Sequence, residues 1–151
     1  MRLTAAIPHR IRLGKLGEAY AAAFLEQLGY CLVAANVTIP VGRNMRGAVV
    51  TAELDLVGYD GETLCFIEVK TRASDAFATP EANIDLRKRR QIVRAARAYR
   101  HMLSLVGEPH RYDAVTVMLA DFEAVPEIQL IRNFWTEDSL RKRRWTEHYY
   151  D

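Results

Sequence analysis

Cysteine is scarce: Cys31 and Cys65 are the only two in 151 residues, and they lack CxxC spacing. Both lie in apolar, strand-like surroundings. That argues against a disulfide scaffold or a thiolate zinc site and for buried free thiols in a reducing compartment. No apolar run approaches the ~18 residues needed to span a bilayer. The opening MRLTAAIPHRIRLGK has no continuous apolar stretch of the secretory kind. The expected setting is the cytoplasm, with no membrane partner. Net charge is also small, +2 from 21 Lys and Arg against 19 Asp and Glu. Clustering of charge, not its sum, must therefore indicate partners. The four histidines, His9, His101, His110 and His148, show no ligand spacing. With neither repeat nor linker, a chain that is 50% hydrophobic and 26% charged reads as one globular domain over 1–151. Residues 1–12 are expected to be flexible and 135–151 to form a basic tail.

Leu16, Tyr20, Phe24 and Leu28 recur at helical spacing, and Gly29 supplies a stop, which predicts a helix over 14–28. YCLVAANVTI reads as a strand and PVGRNMRG as a basic loop carrying Arg43 and Arg46. Residues 51–57 and 63–71 alternate as strands around Asp60-Gly61, a dipeptide suited to a type I′ hairpin turn. ASDAFATPEANI has no period. A second helix is expected over 86–103, with Ile92, Ala96, Tyr99 and Leu103 inward and Arg90, Arg94, Arg97 and His101 outward. RYDAVTVML and EIQLI are two further strands.

The hairpin holds the chemistry. With Asp60 and Gly61 as loop residues, Tyr59 faces Glu62, Asp55 faces Phe66 and Glu53 faces Glu68. Glu53, Asp55, Val57, Leu64, Phe66, Glu68 and Lys70 then share one sheet face, opposite Leu54, Leu56, Cys65, Ile67 and Val69. Asp55 and Glu68 become diagonal neighbours whose carboxylates can lean toward one cation. Magnesium fits, because it keeps several waters and needs only one or two protein carboxylates. Lys70 is placed to hold a water or offset charge on an attacked phosphate. In isolation, the same triplet reads more readily as a lysine–carboxylate pair on a solvent-facing sheet.

Asp55 followed by IEVK resembles the Asp…Glu-x-Lys signature of restriction-endonuclease-like nucleases. The blocks LGKLGEAYAAAFLEQLGY, AELDLV, FIEVKTR, KRRQIVRAARAY, RYDAVTV and IQLIRNF occur in the order seen in the bacterial YraN-like family. The resemblance runs from about Leu13 to Phe134. It implies an α/β fold with a restriction-endonuclease-like core, a central mixed β-sheet flanked by α-helices. It also implies a Mg2+- or Mn2+-dependent endonuclease acting on structured or branched DNA. Asp55 and Glu68 would ligate the metal with the Val69 carbonyl and Glu18, which follows Gly17 in the family's Gly-Glu pair. Ala52 departs from the family's usual glycine, and IPVGRNMRGAVV is longer than usual.

Each assignment has a plainer rival. Glu18 is either a site ligand or an exposed helix-start carboxylate favoured by the dipole, and Glu53 either joins the metal cluster or marks the strand entrance. Lys88, near the apolar edge of its helix, either reaches the site or snorkels past the core. Arg90, Arg94 and Arg97, with Arg43 and Arg46, are either a solvated surface or contacts to a nucleic-acid backbone. The same holds for the basic run RKRR at 141–144, with Trp145 available for stacking on an unpaired base. Symmetric cutting of two strands would call for a homodimer. The alternative function is a non-catalytic nucleic-acid-binding scaffold acting through a protein partner.

Overall fold

A computed structural model describes residues 6–73 and 84–140. The RKRR run, Trp145 and His148 lie outside the described residues. The elements are α1 (His9–Gln27), β1 (Cys31–Arg43), β2 (Val49–Asp60), β3 (Thr63–Arg72), α2 (Leu86–Met102), β4 (His110–Met118) and β5 (Glu127–Trp135), then a short 3-10 helix, Asp138–Leu140. The five strands form one sheet in the order β1-β2-β3-β4-β5. Every neighbouring pair is antiparallel except β3 and β4, which are parallel and joined through α2. This is the mixed, helix-flanked α/β sheet expected from the sequence, and it is compatible with a restriction-endonuclease-like core. Among the described residues, no helix is long and apolar enough to cross a membrane.

Alternation along β3 and β4 builds a core on each face. Leu64, Phe66, Tyr112 and Ala114 pack with Ile92, Val93, Ala95 and Ala96 of α2. Cys65, Ile67, Val69, Val115 and Val117 pack with Leu13, Ala21 and Leu25 of α1. Strands buried on both faces in this way read as near-continuous apolar runs.

Helix α1 starts at His9, so part of the segment expected to be flexible is helical. Its buried line is Leu13, Gly17, Ala21 and Leu25, one position away from the expected stripe; Leu28 is exposed. The cause is steric. Gly17 sits so close to β3 that a Cβ there would run into the Thr71 side chain. The helix therefore meets β3 at its small residues, between Leu13 and Leu25. At its end Gly29 has φ +95°, with Gly29 N–H bonded to the Glu26 carbonyl and Tyr30 N–H to the Leu25 carbonyl, each at 3.0 Å. That is a complete Schellman stop.

Helix α2 is capped by Asp85, whose carboxylate accepts the Lys88 N–H at 2.8 Å. Ile92 and Ala96 are buried as expected, but Leu103 follows the helix and is 52% exposed, while Arg100 is buried. Two further expectations are corrected. Cys31 is exposed and only Cys65 is buried. Trp135, assigned to the tail, ends β5 in the core and stacks on Tyr112 with ring centroids 5.2 Å apart.

Candidate metal centre

The central hairpin turns on Gly61 and Glu62, with Asp60 facing Thr63, Tyr59 facing Leu64 and Val57 facing Phe66. Gly61, at φ +61°, takes the first central position, as a type II′ turn requires. The register is thus two residues from that expected for a turn on Asp60-Gly61. A shift of two preserves side-chain parity, but it sets Asp55 in line with Glu68 instead of Phe66.

The paired ladder ends at Leu56–Ile67. Beyond it β2 stays paired with β1 alone, through Leu54–Val37 to Val49–Arg43, so β2 and β3 diverge into a fork. Asp55 sits at its base, where one carboxylate oxygen accepts the Val69 N–H at 2.9 Å. It replaces a ladder bond that β2 no longer supplies. A strand residue's N–H and C=O point to the same side, so the Val69 carbonyl also looks into the fork.

The faces exchange here as well. Leu54 packs with Val57 on the α2 side, whereas Leu56 packs on the α1 side. Simple alternation puts Leu54 and Leu56 together, so that expectation fails. Asn36, between the β1 partners of these two residues, has φ +51°, and the local kink accompanies the exchange. Glu53 consequently does not face Glu68. It lines a cleft of ≈ 750 Å³ between α1 and the β1–β2 pair, with Glu18, Asn36 and Leu56.

Glu68 is the most perturbed carboxylate of this group. It is only 7% exposed. Burial, then the Asp55 charge, push its pKa up to about 8, against a smaller pull from Lys88. Its Oε1 is 3.6 Å from Lys88 Nζ, while its Oε2 is buried with no hydrogen-bond partner among the described residues. A buried, half-satisfied carboxylate beside a like charge is a costly arrangement. Glu18 is raised too, by burial and then by Asp55, with an opposing hydrogen bond from Asn36 and a further push from Glu53. Lys70 lines a second cleft of ≈ 480 Å³ with Glu18, Val69 and Thr71. Glu18 therefore borders both clefts, and among the described residues Lys70 makes no ion pair.

Among the described residues, no three His, Cys, Asp or Glu side chains stand close enough to enclose an ion by themselves. The donors on offer are the two carboxylates of Asp55 and Glu68 and the Val69 carbonyl, with Glu18 alongside. An all-oxygen, incomplete set of this kind fits magnesium or manganese, whose remaining positions water fills, better than zinc. The orphaned Oε2 of Glu68 is the atom such an ion would satisfy.

The basic residues fall into two groups. Arg90 and Arg94 are exposed, and Arg94 Nη2 donates to the Val41 carbonyl at 3.1 Å, which brings α2 to the β1–β2 hairpin. Arg43 Nη1 closes that hairpin on the Gly47 carbonyl at 2.7 Å, and Arg46 is exposed at its tip. Arg97 differs, because its Nη2 pairs with Glu137 at 2.9 Å. Glu137 also accepts from Tyr112 at 2.7 Å and meets Arg100 and His110. Sequence reasoning missed this cluster. It missed also the buried Asp113, which accepts from Tyr30, Arg111 and the Asn133 N–H, and Asn36 beside Glu18. An acidic residue in a strand between apolar neighbours, as in RYDAVTV, was the one available signal for Asp113.

Comparison with known proteins fixes the kinship. The profile described as Uncharacterised protein family UPF0102 matches residues 17–117, which span α1 to β4. A UPF0102 protein of Moorella thermoacetica is 38% identical over 123 residues, 82% of this chain and 94% of the relative. One from Koribacter versatilis is 38% identical over 126 residues, 83% and 80% of the two chains. One from Geotalea uraniireducens is 36% identical over 121 residues, 80% and 87%. The chain belongs to the UPF0102 family, the YraN-like family that its motifs resemble.

Proposed function

We propose that the protein is a metal-dependent endonuclease that hydrolyses phosphodiester bonds in structured or branched DNA. The observation that carries this reading is Glu68, buried in the β2–β3 fork beside Asp55 with one oxygen unpartnered among the described residues. Asp55, Glu68, the Val69 carbonyl and Glu18 would hold Mg2+ or Mn2+. When bound, such an ion supplies Lewis-acid stabilisation at the attacked phosphate and makes water a nucleophile near neutral pH. Lys70, lining the cleft beside Val69, orients the water and offsets charge on the phosphate. Arg43, Arg46, Arg90 and Arg94 hold the backbone without choosing sequence.

Lys88 favours the rival reading, a scaffold that binds nucleic acid and acts through a protein partner, because its ammonium already neutralises part of Glu68. Calorimetric Mn2+ titration, with cleavage of single-stranded, duplex, flap and four-way-junction DNA, separates the two. The nuclease binds Mn2+ and cuts at least one substrate, and Lys70→Ala keeps metal affinity while losing ~100-fold or more in cleavage. Failure of wild type to cut any substrate with either metal returns the protein to the scaffold class.

A further inference from the structure

The fork holds more charge than its own residues balance. Asp55 and Glu68 bring two carboxylates, and Lys88 is the only cation paired with either among the described residues. Its placement is built in. Asp85 caps α2 by accepting the Lys88 N–H, which fixes that residue in the first turn, above Glu68. The Lys88 side chain is 41% exposed and Glu68's is 8%, so the ammonium reaches down from solvent along a flexible stem. It engages Oε1 and leaves Oε2 without a partner among the described residues.

We propose that Lys88 is a tethered counter-ion that holds Glu68 while the metal is absent, competes with the metal for that carboxylate, and yields its ammonium to the substrate when the metal arrives. This rests on the metal reading of the fork. The charges follow directly. A dication held by these carboxylates would repel the Lys88 ammonium, and the Lys88 stem has a solvent-side path of retreat. The carboxylates of Asp55, Glu68 and Glu18, one dication and the ammonium groups of Lys70 and Lys88 sum to a single positive charge, which one phosphodiester neutralises. Without Lys88 the metal-loaded fork would be neutral and would lose that attraction. Lys70 differs, because it makes no ion pair among the described residues and has no carboxylate to give up.

The test is calorimetric titration of full-length wild type, Lys88→Met and Lys88→Arg with Mn2+ in buffer above pH about 8, where the Glu68 carboxyl is ionised, with melting temperatures in the same buffer without metal. Lys88→Met keeps the stem and removes the competitor. It binds Mn2+ about tenfold tighter than wild type, since metal uptake no longer displaces an ion pair. It melts lower without metal and is restored by Mn2+, and Lys88→Arg behaves as wild type. On uncut duplex DNA, Lys88→Met lowers the salt slope of binding by about one with Mn2+ present and not without it. Equal or weaker Mn2+ binding by Lys88→Met overturns the counter-ion role, and a salt slope unchanged with Mn2+ overturns the transfer to substrate. Wild type that takes up no Mn2+ sinks the metal reading and this proposal together. Wild type that binds Mn2+ beside an unchanged Lys88→Met sinks the role of Lys88 alone.

Discussion

The Asp55 carboxylate accepts the Val69 N–H at 2.9 Å, one step past Leu56–Ile67, the last pair of the β2–β3 ladder. One side chain thus ends the pairing of two strands and lines the space that opens between them. Its two tasks are separable. Asp55→Asn keeps an oxygen acceptor for the N–H and removes the charge, so it should lose Mn2+ affinity with little change in urea stability. Asp55→Ala orphans the amide as well and should cost about 1–3 kcal/mol in the same urea titration. Equal stability of the two variants would mean the hydrogen bond contributes nothing to the fold.

Glu68 makes metal-free stability depend on pH in an unusual direction. Its folded pKa of about 8 lies above the ordinary 4.5, so between these values the folded state holds the proton that the unfolded state has released. Its contribution is therefore full below about 4.5 and is lost as pH rises toward about 8. Glu68→Gln should flatten that part of the melting-temperature profile. Mn2+ affinity should change oppositely, rising as pH approaches 8, because the ion needs the ionised carboxylate.

Arg97 does not belong with Arg90 and Arg94. Burial opposes ionisation of Glu137, but the hydrogen bonds from Arg97 and Tyr112 outweigh it and bring its pKa down to about 2. That contribution is present above the ordinary 4.5 and disappears as pH falls toward 2. Charge reversal at Arg90 and Arg94 should weaken binding to all DNA substrates alike and flatten the salt dependence, with only the small loss in melting temperature that follows from losing the exposed Arg94–Val41 hydrogen bond. Arg97→Glu should lower the melting temperature, and Glu137→Gln should cost about 2 kcal/mol, the scale of charged hydrogen bonds. Circular-dichroism melts beside filter binding distinguish the two sets.

Gly17 sets the distance between α1 and the sheet. Gly17→Ala should destabilise by about 1–3 kcal/mol, the cost of overpacking, because the new Cβ meets Thr71. Thr71→Gly in the same chain should relieve the clash. Displacing α1 also displaces Glu18, so the single variant should bind Mn2+ more weakly than the double. Calorimetry on both gives the answer.

Local chemistry determined much of this protein. Gly29 ends α1, the Ile92 and Ala96 stripe faces the core, two alternating runs meet near Asp60-Gly61, and Asp55, Glu68 and Lys70 belong to that hairpin because those features depend on residues close in sequence. Tertiary structure decided the rest. Placing the turn on Gly61-Glu62 moved the register by two, and both turns satisfy the local preference for glycine at positive φ. The exchange of faces at Asp55 follows the divergence of β2 from β3 and the kink at Asn36, neither of which a period-two reading contains. Helix α1 settled on Leu13, Gly17, Ala21 and Leu25 instead of Leu16, Tyr20, Phe24 and Leu28 because close approach to Thr71 depends on sheet geometry, not on helical periodicity. The pairing of Lys88 with Glu68, twenty residues apart, and of Arg97 with Glu137, forty apart, arises only when α2 is laid across the sheet. Sequence spacing names the charged groups, but the distances that decide which charges neutralise one another are set by packing.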